Sequence, residues 1–144
     1  MDKRDTASRF DWQSRFGWAT VFFALALGLH AADHIRRGME ASPPAVVAAG
    51  NAQILAAVIT VILVILRNRW APHAAVVVGI ASAVGFSAAH LLPTWGPFSD
   101  TFVNPAPAAG VTWFSWVTAV VEIVADLVFA AVGLAVLSHR RARA

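Results

Sequence analysis

The chain contains no cysteine, which excludes disulfides, iron–sulfur clusters, thiolate metal sites and thiol redox relays. Charge is almost as scarce. Only 13% of the 144 residues are charged, against roughly a quarter in an ordinary soluble domain. A phosphate-binding glycine loop, a nucleophile elbow and a basic–aromatic nucleic-acid face are all absent, so nucleotide, acyl-transfer and nucleic-acid chemistry have no motif to rest on. Internal repeats are absent too.

What is present is hydrocarbon, at 58% of the residues. It falls into four runs, approximately 16–35, 45–66, 74–92 and 111–137. Each reaches the ~20 residues that a bilayer core requires. The net charge of +3 does not point to nucleic acid, because the bases form short clusters between the apolar runs. That is how membrane topology is written. Placing residues 1–15 and 138–144 in the cytoplasm puts nine of the eleven basic residues inside, leaving only Arg36 and Arg37 outside. Trp12, Trp18 and Trp70 then fall at the inner interface, and Trp95, Trp113 and Trp116 at the outer one. The expectation is a single all-α domain: a polytopic four-transmembrane-helix bundle in the cytoplasmic membrane, with both termini cytoplasmic. Residues 5–15 read as a short interfacial helix with Phe10 and Phe16 dipping into lipid beside Arg9 and Arg15.

The connections differ in character. Residues 67–73 form a tight inner turn, whereas residues 93–110 make a long outer loop with four prolines, three aromatics and one acid, Asp100. Loops beyond about 12–15 residues without regular structure tend to be functional or disordered. Trp95, Phe98 and Phe102 are too apolar for a solvated linker, so the segment reads as a lid over the outer mouth.

Polar residues inside the spans are the informative ones, because histidine and carboxylate are expensive in hydrocarbon and mark function by default. His30, His90 and Glu122 lie 15, 16 and 15 positions from Arg15, Ala74 and Leu137, the ends taken as cytoplasmic. At about 1.5 Å per residue all three sit roughly 22–24 Å above the inner boundary. His30 and His34 are an i, i+4 pair on one helix face, a spacing suited to chelation. Asp33 is one turn from both His30 and Arg37. Glu122 and Asp126 are a second i, i+4 pair, and no lysine or arginine lies inside the expected spans to neutralise them. They must be protonated, meet a cation or meet the histidines. His90 shares a face of small residues with Gly79, Ser82 and Ala83, which lets helices approach closely.

These placements predict a shaft lined by three imidazoles and two carboxylates. Imidazole with carboxylate suits a transition metal, zinc or iron, better than calcium or magnesium. His30, His34, His90 and Glu122 are the expected metal ligands, with Asp126 and Glu122 as candidate catalytic acid–base groups. Gln53 and Asp33 are expected to help bind the cofactor as hydrogen-bond partners. A lipid-soluble small molecule arriving from the outer leaflet is the expected substrate. Two other readings stand beside this one. A four-helix membrane bundle with His30 and His90 at equal depth resembles, in architecture, the b-type haem proteins, which would make those two residues axial ligands of haem b. Alternatively Glu122 and Asp126 serve a proton relay or a proton-coupled transporter; at 144 residues a carrier implies a homo-oligomer. A subunit docking into a larger membrane complex completes the expected partners.

Overall fold

The computed structural model describes residues 3–142, with side chains from Gln13 onward except that of Met39. Among them the fold is all-helical. Helix α1 runs Lys3–Arg37, α2 Pro44–Ile65, α3 Ala71–Phe86 and α4 Trp113–Arg141. A π-helical turn, Ser87–Leu91, prolongs α3, and single 3-10 turns occupy Met39–Ala41 and Pro107–Ala109. Four segments are long and apolar enough to cross a membrane: Gln13–Arg37, Pro44–Ile65, Ala71–Leu91 and Trp113–Arg141.

Local chemistry explains the breaks. Gly38 takes φ 88°, a left-handed backbone that costs glycine little, and so ends α1. Pro44 and Pro72 stand in the first turns of α2 and α3, where a missing N–H costs nothing. The start of α4 is held by the Thr112 amide, which donates to Ser115 Oγ at 3.1 Å.

One expectation about the N-terminal segment fails. The helix is continuous from Lys3, with no separate interfacial piece. Phe16 is buried and stacks on Phe129 with ring centres 5.8 Å apart, and Phe23 stacks on the same ring at 4.5 Å. The aromatic ring of Phe16 gains more from that stack than from lipid. The side chains of Phe10 and Trp12 lie outside the described residues.

Packing is unequal around the bundle. Helices α3 and α4 meet most closely: a Cβ on Gly79 would lie 2.5 Å from the Asp126 carbonyl oxygen, and one on Gly133 2.9 Å from that of Pro72. Phe16, Phe23 and Phe129 with small alanines form the core at one end. By contrast α2 buries only Ala57 and Thr60. A polar link joins it to α3, Gln53 Nε2 donating to Ser82 Oγ at 2.9 Å. The far end of the bundle, where α1 and the π-helical turn finish, carries the histidines.

Candidate metal centre

Three histidines converge at that end. His30, His34 and His90 each offer a ring nitrogen, and these nitrogens lie within 4.8 Å of one another. His30 and His34 stand one turn apart on α1, and their Nε2 atoms are 3.2 Å apart. Two imidazoles bound tetrahedrally to one ion at 2.0–2.1 Å would be separated by about 3.3–3.4 Å, so this pair is already spaced for chelation. The ring of His90 reaches them from the π-helical turn, with its centre 4.9 Å from that of His30 and 5.6 Å from that of His34. Single π turns inside α-helices recur at functional sites. Here the turn carries the third imidazole.

The long loop supplies the shell around the rings. The amides of Asp100 and Phe102 donate to the carbonyls of Ala89 and His90, at 3.0 and 2.9 Å, satisfying acceptors that a helix end leaves orphaned. Trp95 Nε1 donates to the Ala88 carbonyl at 2.7 Å. Phe102, 3% exposed, stacks on the His90 ring at 4.5 Å. Held in this way, Asp100 is pressed into the bundle.

Asp100 is the centre of the polar network. Its side-chain oxygens accept two hydrogen bonds from Arg37, and Oδ2 accepts a third from Ser42 Oγ at 2.9 Å. Its backbone oxygen accepts from His90 Nδ1 at 2.9 Å. Burial alone would raise the Asp100 carboxyl. The hydrogen bonds and charge of Arg37 outweigh that, with smaller help from His90 and Ser42, and hold it below the ordinary carboxylate range.

These contacts select ring tautomers. His90 Nδ1 carries its proton toward the Asp100 carbonyl, which leaves Nε2 with a free lone pair. For His34, both Ser42 Oγ and Arg37 Nη2 lie 3.1 Å from Nδ1. A guanidinium can only donate, so an Arg37 bond requires a bare Nδ1 and leaves the proton on Nε2. The other tautomer donates from Nδ1 to Ser42 Oγ, whose own proton goes to Asp100. That second arrangement frees Nε2 of His34 for an ion. Ligating histidines are commonly oriented through the nitrogen that does not bind.

Arg36 and Arg37, the two bases on the wrong side of the charge split, are the cations of this site. The Arg37 side chain is fully buried, with Nε 3.3 Å from Asp33 Oδ2. Arg36 donates to Asp33 Oδ1 at 2.8 Å, to the Gly110 carbonyl at 2.9 Å and to Ser115 Oγ at 3.1 Å. Asp33 is thus the ion-pair partner of two arginines, 0% exposed, rather than a group held ready for a cofactor. Gln53 donates to Ser82 rather than to a histidine, although it lines the same cavity.

Glu122 does not join the histidine set. The three imidazoles form a group without it, and equal depth along the helices does not bring its carboxyl among them. Glu122 and Asp126 are both 0% exposed on the face of α4 that packs inward. None of their four carboxyl oxygens has a hydrogen-bond partner among the described residues.

Beside the histidines lies a cavity of about 730 Å³, enclosed by α1, α2, α3 and the loop. Its walls are almost wholly apolar, with His30, His34 and His90 at one end and Trp95 and Phe98 above them. No family model, curated protein or solved structure matches this chain.

Proposed function

We propose that this is a metal-binding membrane protein in which His30, His34 and His90 hold one transition metal ion, zinc or iron. The observation that carries the reading is the His30–His34 Nε2 spacing of 3.2 Å with His90 completing the set. Three neutral imidazoles leave at least one coordination position for water or substrate, the pattern of reactive rather than structural metal sites. The metal would act there as a Lewis acid or redox centre. The three nitrogens, all within 4.8 Å of one another, would be held no more than about 4 Å apart by an ion with metal–nitrogen bonds near 2 Å.

The proposal places the protein in the cytoplasmic membrane with both termini cytoplasmic, which rests on nine of eleven bases lying at one side. The site then faces the outer leaflet, and the loop at 93–110 caps it. Metal analysis of the detergent-purified protein, with an optical spectrum, tests the centre. One zinc or iron per chain supports it; neither metal at stoichiometric level refutes it.

The haem reading gains little. Two axial imidazoles on one iron would have ring centres about 6 Å apart at metal–nitrogen distances near 2 Å, against 4.9 Å for His30 and His90. The third ring, His34, also occupies the space beside them. The relay reading keeps one observation in its favour, the partnerless Glu122–Asp126 pair. Proton exchange through these two acids would serve a membrane relay, and Glu122→Gln would abolish function there without changing metal content.

A further inference from the structure

The cavity beside the histidines has a definite shape. The only buried side chains of α2, Ala57 and Thr60, lie in the half of the helix away from the histidines. Toward the histidine end α2 stands off from α1 and α3, and the gap is the cavity. Ser82, bonded to Gln53, is eight positions before His90, or about 12 Å along the helix axis. The cleft therefore extends from the histidines past this bond, and small residues such as Gly50, Ala81 and Gly85 pave it. A Cβ added at Gly50 or Gly85 meets nothing within 4 Å. Volumes of about 300–1,000 Å³ are those of sites for single small organic ligands.

Charge decides which head group suits the histidine end. The ion-pair network behind the rings is already neutral, since Arg36 and Arg37 are matched by Asp33 and Asp100. A divalent ion on three neutral imidazoles adds two positive charges with no acid in its ligand set. Buried charge demands a counter-charge, and the cleft, lined at one end by His30, His34 and His90, has room to deliver one.

We infer that the cleft binds a fatty-acid-like amphiphile, one hydrocarbon chain along Gly50, Ala81 and Gly85 with an anionic oxygen head at the metal-loaded histidines. The inference rests on the metal reading above and names the ligand class of that same centre. The chain reaches the site sideways between α2 and α1, from the lipid. Trp95 and Phe98, stacked with ring centres 6.4 Å apart, cover the head from the loop side.

The test uses the full chain in phosphatidylcholine nanodiscs, its metal content measured in the same samples. Stearic acid carrying a nitroxide near its chain end is titrated and read by electron paramagnetic resonance. A motionally restricted component saturating at one per protein is expected. Oleic acid should displace it, whereas methyl oleate, lacking the acid head, and acetate, lacking the chain, should not. Gly85→Phe and, from the opposite wall, Gly50→Phe should each remove the component while metal content stays at the wild-type level. Displacement by methyl oleate as readily as by oleic acid would mean that ordinary lipid chains fill the cleft, and would overturn the inference. So would a restricted component that survives in both phenylalanine variants. Wild-type protein with full metal and no restricted component refutes the cleft assignment alone. A metal-free protein that still selects the acid over its ester refutes the metal reading instead.

Discussion

The Nδ1 proton of His90 points at the backbone carbonyl of Asp100, 2.9 Å away. A residue of the connecting loop thereby fixes which nitrogen of a helical histidine is free. Because the acceptor is main chain, the orientation survives loss of the Asp100 side chain. The carboxylate has a different task, linking Ser42, and through it His34, to the buried Arg37.

That division predicts graded effects on metal retention. His90→Ala and His34→Ala each remove a ligand and should lower metal to background in the purified protein, while the chain still inserts, because every helix satisfies its own backbone. Asp100→Asn removes an orienting group and should cost about 10–100-fold in metal affinity. Glu122→Gln and Asp126→Asn should leave metal content unchanged. Metal analysis of the five purified variants checks the ranking, and loss of metal in Glu122→Gln would return that residue to the ligand set.

Acid should release the ion. Protons compete for imidazole lone pairs, so occupancy is expected to fall as pH drops through and below the ordinary histidine range, around 6.5. Equilibrium dialysis across that interval measures it. Occupancy that stays unchanged across that interval would contradict the expectation.

The Arg37–Asp100 pair predicts a large stability effect. Both side chains are buried, at 0% and 3% exposure, and removing one partner of a buried pair costs about 3–5 kcal/mol. Arg37→Leu strands Asp100 and should fall in that range by thermal unfolding in detergent. The double variant Arg37→Leu/Asp100→Leu should recover part of the loss, since no charge is then left buried alone. Recovery that fails entirely would mean the pair acts through the loop rather than through charge.

Asp100 also sets a pH dependence. Its carboxyl is held below the ordinary range in the folded protein. The stability it contributes is therefore complete above the unfolded value of about 3.9 and is lost as pH falls through the lower folded value. The difference in melting temperature between wild type and Asp100→Asn should be constant from neutral pH to about pH 5 and shrink below pH 4. Measuring both metal-free proteins in parallel removes metal release from the comparison. A gap that widens in acid would contradict the assignment.

Gly79 predicts a steric penalty. A methyl there would meet the Asp126 carbonyl at 2.5 Å and Ala130 Cβ at 3.0 Å, so α3 and α4 must separate. Overpacking of this kind costs about 1–3 kcal/mol. Gly79→Ala should lower the melting temperature, while Gly28→Ala, with nothing within 4 Å, should not.

Much of the fold was legible because hydrocarbon thickness and charge placement are coarse signals. The four apolar runs match the four long helices within a few residues at most ends. The α1 end is where sequence reasoning missed most. Arg36 and Arg37 read as two bases on the wrong side of a membrane, yet they neutralise Asp33 and Asp100 from the last turn of the helix. The convergence of His30, His34 and His90 followed from helical spacing and equal depth. Glu122 has the same depth, and depth says nothing about azimuth: its face of α4 is buried, but its carboxyl does not enter the histidine set. Asp100 was visible as the single acid in a proline-rich loop, the one available signal for its role. Its partners could not be read, because they depend on a loop backbone that folds onto the end of α3. The π-helical turn at Ser87–Leu91 has no periodic signature in five residues and was equally hidden.

Every group of the histidine centre, from His30 through Ser42 and His90 to Phe102, precedes α4 in the chain. Synthesis from the N-terminus delivers all the ligands and their capping loop before the helix that carries Glu122 and Asp126. Arg36, which bonds Gly110 and Ser115, is the latch that α4 meets on arrival. The chain order thus separates the two polar groups: the imidazoles and their loop are complete once residue 102 is made, whereas Glu122 and Asp126 belong to the last helix.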